Sequence, residues 1–532
     1  MGFCPETDIQ TYISSPAFHT KMSKTGVASY LEELPNPAEA ENVVYNPSEK
    51  RMREFSEHLE TTTEYGSPSY VSEYRSRCAD RTKNAVDDEF DASDRAVFEK
   101  AFRQARGKEM VCVDRLVGAP PEHSYVCRFY VPKEHARVAL ALSKLLEPAD
   151  EGAEPDFVTV QASDTKPDDC EVAIRVLPDE GVTAVLGSDY TGEAKKSFLR
   201  LFMYHVKQAG GLGLHAGSKS VRVRREGDDE PSEVGQLFLG LSATGKSTLT
   251  AHGLDIEDED GEGASMLQDD VCGLLPDGTV IGSEGRGLYL KTAGLDADEQ
   301  SAVYEAVTHE SAVLENVDVA EDGAVDFDSD RYTTNGRAAV LRENLSSADD
   351  EEIDLGRVDQ VFFITRNPAM PPVARLPPES AAVAFMLGES IETSAGDPSR
   401  AGESVRVVGT NPFIVGSEGE EGNRFRELVS ELDVDCYVLN TGCVGDETND
   451  ICVDDSVAVL RAIARGTVEW EKDETGMTVP VPESVSDTDL SSFRVSDSID
   501  DHETRLEQLR DERRAYLEGF EDLDDDIKDA VY

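Results

Sequence analysis

The chain has 532 residues, 39% of them hydrophobic, and 108 acidic against 51 basic side chains give a formal net charge of −57. That length exceeds one ordinary core and predicts two domains, while so acidic a balance argues against nucleic acid and anionic membrane as partners. Apolar strand-like runs recur throughout, so the acidity reads as a folded, carboxylate-covered surface of halophilic type rather than as disorder; near 1 M salt the Debye length is about 3 Å and self-repulsion is screened.

Residues 1 to about 110 are polar and mixed, with helices expected near 51–61 and 93–104. Strand patterns follow at 111–117, 125–131, 157–160, 172–177 and 182–187, then a helix at 192–209. Together they read as an N-terminal α/β domain over 1–212. The glycine-rich stretch 210–213 marks the change to a second domain over 213–485, where strands and helices alternate to about residue 464. An acidic run at 255–262 reads as a solvated surface insertion, and 486–532 as an acidic tail carrying a surface helix at 501–520. Nine cysteines without a C-x-x-C pair read as reduced thiols. No signal pattern and no apolar run near 18 residues is found, which reads as a cytoplasmic protein. Oligomeric state stays open, a monomer included.

The strongest local signal is Gly240-Leu241-Ser242-Ala243-Thr244-Gly245-Lys246-Ser247, flanked by an apolar strand at 234–239 and a helix start at 247–252. Strand, glycine-bounded turn and helix start together point backbone N–H groups at a polyphosphate. Lys246 then reaches the β- and γ-phosphates, and the Ser247 hydroxyl ligates their Mg²⁺. About twenty residues on, Met266-Leu267-Gln268-Asp269-Asp270 reads as a short strand ending in two carboxylates, placed to hold metal. Lys195-Lys196 is the one adjacent lysine pair in this acidic chain. A lone histidine such as His215 is more often a packed imidazole than a ligand, and only its order with Lys196, Lys246 and Asp270 gives it weight.

These pieces also occur in a longer order: Tyr190-Thr191-Gly192-Glu193-Ala194-Lys195-Lys196, Gly213-Leu214-His215-Ala216-Gly217, the phosphate loop, Asp269-Asp270, then Glu284-Gly285 with Tyr289 and Lys291. Leu314-Glu315-Asn316-Val317, Thr334-Asn335-Gly336-Arg337, Pro371-Pro372-Val373-Ala374-Arg375-Leu376 and Asn440-Thr441-Gly442 complete it. From about Val111 onward the chain resembles the ATP-dependent phosphoenolpyruvate carboxykinases. The resemblance implies a two-domain carboxykinase-like α/β fold with a phosphate-loop mononucleotide-binding C-terminal domain. It implies the gluconeogenic lyase reaction in which oxaloacetate and ATP give phosphoenolpyruvate, ADP and CO₂, with Mn²⁺ and/or Mg²⁺.

By the same resemblance Lys196, His215 and Asp270 ligate one metal and Ser247 the nucleotide's. Lys246 and Arg337 act on the γ-phosphate, Arg337 also touching substrate, and Tyr190 meets the substrate carboxylate or nascent CO₂. The nucleotide lies against Gly240, Leu241, Ser242, Ala243, Thr244, Gly245, Lys246, Ser247 and Thr248, with Ser456 and Thr441-Gly442 also on its side. Lysine ligates only as the neutral amine, so its usual pKa of about 10.4 must fall, through burial, the metal and the charge of Lys195. Three departures stand out. The family's Thr-Gly-Arg-Ser-Pro-Lys-Asp-Lys is replaced by Arg75-Ser76-Arg77-Cys78-Ala79-Asp80-Arg81-Thr82-Lys83, where Arg77 is the candidate substrate clamp and Arg75 or a plain basic turn the alternatives. Ala243 stands where the family has glycine. An adenine-side arginine is missing near Thr448-Asn449-Asp450, so the base is less determined than the triphosphate. Two other classes are compatible with the residues: a kinase of the same nucleotide fold without decarboxylation, and a non-catalytic nucleotide-binding regulator.

Overall fold

The computed structural model describes residues 26–119, 123–241, 244–256, 260–297, 300–349, 352–391, 404–445 and 449–532. They form a mixed α/β structure with several sheets. The first large sheet runs in the order Val43–Tyr45, Met110–Val117, Tyr125–Pro132, Phe157–Ala162, Val182–Leu186, Ala173–Leu177, Thr82–Asn84, and Glu147–Pro148 is added beside Met110–Val117. Its strands bury both faces, and the period of two sends alternate residues to opposite sides. Met110, Cys112, Val158 and Val160 pack with Phe98 and Phe102 of helix Ala92–Gly107. Val111, Val113 and Phe157 pack with Leu142 of helix Ala136–Leu145 and with Phe198 and Phe202 of helix Thr191–Gln208.

The second large sheet has the order Gly263–Gln268, Ala216–Val223, Ser232–Gly240, Gln360–Thr365, Asp435–Asn440, Val373–Leu376, Thr478–Pro480, Trp470–Lys472. Its centre is parallel, with Gly240 level with Ile364 and Ile364 level with Leu439. Leu237 and Leu239 point into one core and Val234 and Phe238 into the other. Parallel strands end together, so everything following Gly240, Thr365 and Asn440 gathers at one edge, where ligands of open α/β sheets bind.

Two smaller sheets tie these parts together. A five-stranded sheet joins Glu60–Thr62 and Pro68–Tyr70 to Val313–Glu315, Arg337–Leu341 and Gly287–Lys291, with Pro68–Tyr70 parallel to Val313–Glu315. A three-stranded sheet pairs Leu212–Leu214 with Cys272–Leu274 and Val280–Gly282. Leu212–Leu214 therefore joins helix Thr191–Gln208 directly to strand Ala216–Val223.

The local readings differ in places. The helix expected over 51–61 is Glu49–Phe55, capped by Ser48, whose hydroxyl accepts the Arg51 N–H. A 3₁₀ turn follows, then the strand Glu60–Thr62, because β-branched Thr61 and Thr62 find a partner in Pro68–Tyr70. The helix expected over 93–104 is the longer Ala92–Gly107, closed at its start by a capping box between Asp91 and Asp94. In the tail, helix His502–Leu517 docks: Leu517, Leu523 and Ile527 join the second sheet's core, and Arg513 is buried against Glu389. Of the acidic run 255–262, residues 257–259 lie outside the described residues. The described cysteines are free, and among the described residues no helix is long and apolar enough to cross a membrane.

Candidate active site

Helix Thr191–Gln208 is buried along nearly its whole length, so its polar side chains must find partners inside the protein. Consecutive residues sit about 100° apart on a helix; here both lysines of the pair nevertheless reach one carboxylate. Lys195 Nζ stands 2.8 Å from Asp270 Oδ2 and 2.8 Å from Glu284 Oε2, and Lys196 Nζ also pairs with Asp270 Oδ2. The two buried carboxylates hold Lys195 charged. For Lys196, burial and the neighbouring Lys195 outweigh Asp270 and push the amine down to about 7. Asp270, held by Lys195, Lys196 and His215, stays ionised well below the usual carboxylate range despite its burial.

His215 follows Leu212–Leu214, and its ring tautomer is set by a neighbour. Nδ1 lies 2.6 Å from the Thr410 carbonyl, which can only accept, so Nδ1 carries the proton and Nε2 a lone pair. Burial, then Lys246, pushes His215 down to about 4, so the ring is neutral at pH 7. Nε2 nevertheless faces Asp270 Oδ1 at 3.0 Å. Two lone pairs at that distance, with a lysine amine that titrates near neutrality beside them, form a donor set suited to a cation of mixed N/O ligation. Asp269 adds a buried oxygen, Oδ1, without a hydrogen-bond partner among the described residues. Among the described residues no three His, Cys, Asp or Glu side chains cluster to hold an ion; here the remaining donor is a lysine nitrogen.

The phosphate loop arrives beside this group. Strand Ser232–Gly240 ends at Gly240, and the short helix Lys246–Ala251 begins after Gly245, whose φ of 95° lies in the region open to glycine. The first-turn N–H groups of a helix have no intrahelical acceptor. Lys246 Nζ lies 3.5 Å from His215 Nε2, which joins the loop to the Asp270 group. Ser247 and Thr248 are exposed in the first turn, and Thr244 tightens the loop through its hydroxyl, which donates to the Leu241 carbonyl. Thr441 donates from its hydroxyl to the Thr244 carbonyl at 2.6 Å, so the end of strand Asp435–Asn440 touches the loop. Ser456 is placed differently: it is buried in the first turn of helix Val453–Arg465, with its hydroxyl on the Cys452 carbonyl. Ser242 and Ala243 lie outside the described residues.

Tyr190 precedes the lysine helix as its N-cap residue, and its ring fills the space over Gly192, where a Cβ would stand 2.3 Å from Tyr190 Cε1. Asn335 bridges two site residues: its Nδ2 donates to the Tyr190 hydroxyl at 3.2 Å, and its Oδ1 accepts from Arg337 Nη2 at 2.8 Å. Arg337 also lies over the Tyr289 ring, 5.7 Å from its centroid, and its buried Nε has no hydrogen-bond partner among the described residues. The segment bearing Arg75 and Arg77 is pinned by side chains from elsewhere. Ser72 N–H donates to Asn316, Glu73 N–H to Asp189, Cys78 N–H to Glu193, and Asn335 donates to the Arg75 carbonyl. Arg77 is turned inward, with its guanidinium carbon 4.1 Å from the Phe413 centroid and its charge felt by Glu193, Asp270 and Tyr190. Arg75 instead lies over Tyr332.

Several parts of this site carry no local signal in the sequence. Thr410 acts through its backbone carbonyl, and Phe413 sits in an unremarkable loop. Glu284 and Tyr289 lie within family-like motifs and could have been singled out by them. Their chemistry becomes legible only where Lys195 meets Glu284 and Tyr289 donates its hydroxyl to Glu315.

A family model described as phosphoenolpyruvate carboxykinase matches residues 80–491. The chain is similar to the phosphoenolpyruvate carboxykinase (ATP) of Aeropyrum pernix, at 36% identity over 442 residues, covering 81% of this chain and 85% of the relative. It is also similar to the enzymes of that name from Rhizobium rhizogenes, at 29% over 64% of this chain and 62% of the relative, and Chelativorans sp., at 30% over 66% and 64%.

Proposed function

This chain belongs to the phosphoenolpyruvate carboxykinase (ATP) family, and on that premise we propose which side chains carry the conversion of oxaloacetate and ATP to phosphoenolpyruvate, ADP and CO₂. It is a gluconeogenic lyase that binds ATP and needs a divalent metal; membership in this family sets aside the plain kinase and the non-catalytic regulator. The observation that carries the assignment is the convergence of Lys196 and His215 on Asp270, with Lys246 against His215 and the inward-turned Arg77 close enough to feel Asp270.

Arg77 binds oxaloacetate through a carboxylate, using a planar donor fork that is always charged, and the Tyr190 hydroxyl orients the same substrate. Breaking the bond to the departing carboxylate releases CO₂ and leaves its electron pair in the enolate of pyruvate. A divalent ion held by Lys196, His215 and Asp270 would supply Lewis-acid stabilisation for the charge growing on the enolate oxygen. Lys195, paired with both Asp270 and Glu284, keeps Asp270 ionised and oriented. The enolate oxygen then attacks the γ-phosphorus, the bond to the β-phosphate oxygen breaks, and ADP leaves. Lys246 and Arg337 neutralise the equatorial oxygens during this transfer, with Arg337 aimed by Asn335. Gly240, Leu241, Thr244, Gly245, Ser247 and Thr248 cradle the phosphates. Ser247 would hold the nucleotide's Mg²⁺ through its hydroxyl.

The same reading takes Mn²⁺ as the ion at Asp270, 1–212 as the substrate-side unit, 213–485 as the nucleotide unit and 486–532 as a docked tail. It places the protein in a cytoplasm rich in salt. A coupled assay tests it: oxaloacetate with ATP or GTP, in molar KCl, with Mn²⁺ and Mg²⁺ singly and together. Phosphoenolpyruvate should form with ATP and need a divalent ion; phosphorylation without release of CO₂, or nucleotide binding without turnover, would refute it.

A further inference from the structure

Glu193, Lys196 and Arg200 are spaced three and four residues apart, so they lie along one stripe of helix Thr191–Gln208. Lys196 stands at the metal-side end of that stripe and Arg200 one turn beyond it. Three cations crowd a single ring: Lys196 Nζ is 4.6 Å, Arg77 Cζ 4.1 Å and Arg200 Cζ 5.9 Å from the Phe413 centroid. Arg200 is only 6% exposed. Neither Arg77 nor Arg200 forms an ion pair, N···O within 4.0 Å, or donates a side-chain hydrogen bond among the described residues.

Such an arrangement is costly. Two guanidiniums close enough to repel share one pocket, Arg200 buried and Arg77 half-buried, with no protein acceptor on their donors among the described residues. Burial and Arg77 together push Arg200 down to about 10. Glu193 is the one carboxylate that both feel, yet its Oε1 is taken by the Cys78 N–H at 2.7 Å, and burial raises its pKa. Arg77 also feels Asp270, but that carboxylate is already paired with Lys195 and Lys196, so Glu193 is left to balance both guanidiniums. The pocket is left short of one negative charge, with planar donors waiting for it.

We infer that Arg200 is a substrate-binding residue that, with Arg77, grips the carboxylate shared by oxaloacetate and phosphoenolpyruvate. This rests on the reaction given above and adds to it a second guanidinium in the substrate pocket. The incoming carboxylate supplies the missing charge and satisfies both forks, and the stripe Lys196–Arg200 then sets the distance between that carboxylate and the reacting oxygen.

The test is Arg200→Met with Arg200→Lys beside it, in the same molar salt. For Arg200→Met, KM for both oxaloacetate and phosphoenolpyruvate should rise about 10- to 100-fold, as for loss of a charged hydrogen bond. KM for ATP should stay within about twofold, the uniform-binding pattern. Arg200→Lys should fall between. Because the Phe413 ring and the shared Glu193 are set against burial and repulsion from Arg77, which together outweigh them and lower the Arg200 pKa, Arg200→Met should fold and melt no lower than the parent. Unchanged KM for either carboxylate substrate, a fall in kcat alone, or a variant that melts lower or fails to fold would each overturn the inference. These outcomes are read against a parent that makes phosphoenolpyruvate; a parent that makes none refutes the reaction itself.

Discussion

Metal binding at Asp270 should carry the signature of a single lysine proton, and Lys196→Gln should erase it. In the folded protein the Lys196 amine is pushed down to about 7, whereas His215 lies near 4 and Asp270 well below the usual carboxylate range. Between pH 5.5 and 8.5, then, only Lys196 changes charge among the three donors. An ammonium has no lone pair, so the proton competes with the ion, and affinity must rise with pH and level off above the amine's pKa. With a pKa near 7, about one amine in eleven is neutral at pH 6 and about ten in eleven at pH 8, which makes the Mn²⁺ Kd about tenfold weaker at the lower pH. Lys196→Gln should bind more weakly throughout and show no slope over the same window. The assay is a titration of Mn²⁺ followed by the electron-spin signal of the free ion, without nucleotide, at constant molar KCl. A Kd that is flat in the parent, or an identical slope in Lys196→Gln, would refute Lys196 as a ligand.

Lys246→Ala should lower phosphoenolpyruvate formation by at least about 10²- to 10³-fold, the scale for losing a donor aimed at transition-state charge, while circular dichroism stays unchanged and slow decarboxylation of oxaloacetate to pyruvate persists; parental turnover would rule out the loop assignment. Lowering KCl from molar to about 0.1 M lengthens the Debye length from about 3 to about 10 Å, so with a charge of −57 the unfolding midpoint should drop; a flat midpoint would end the halophilic reading. Arg513→Met should cost about 3 kcal/mol or more in denaturant unfolding, because it strips a buried carboxylate of its main partner. Arg513 Nε donates to Glu389 at 2.9 Å, and its loss leaves that carboxylate Arg406 at 3.2 Å and the Asn367 amide at 3.4 Å; a change below about 1 kcal/mol would refute that weight.

What the sequence could tell depended on how far apart the interacting residues lie. The phosphate loop and the strand before it are contiguous, so the spacing Gly240 to Ser247 with the apolar 234–239 was enough to place strand Ser232–Gly240 and helix Lys246–Ala251. Helix Thr191–Gln208 was equally plain, since its apolar positions keep the 3.6 period. Strand Glu60–Thr62 was read as helix because its β preference is expressed only against Pro68–Tyr70, which in turn leans on Val313–Glu315. Motif order pointed to Lys196, His215 and Asp270, but not to the Thr410 carbonyl that fixes the His215 tautomer, since a backbone group has no residue type to recognise. Arg200 was invisible for another reason. An arginine is distinguished by its missing partner, and that is a property of the folded interior.

The parallel pairing of Pro68–Tyr70 with Val313–Glu315 also sets a schedule for synthesis. The segment carrying Arg77 is held by Asn316 through Ser72 and by Asn335 through Arg75, so its last anchor is made some 260 residues after it. At about 5–20 residues per second, the ribosome takes roughly 10–50 s to cover that distance. Within that interval the first large sheet can close, because all its strands lie before Thr191, while the arginine segment beside it is held by Asp189 and Glu193 alone and still lacks its Asn316 and Asn335 anchors. The nascent chain thus finishes its scaffold long before its substrate pocket, and a polypeptide interrupted anywhere between the two would be compact and inert.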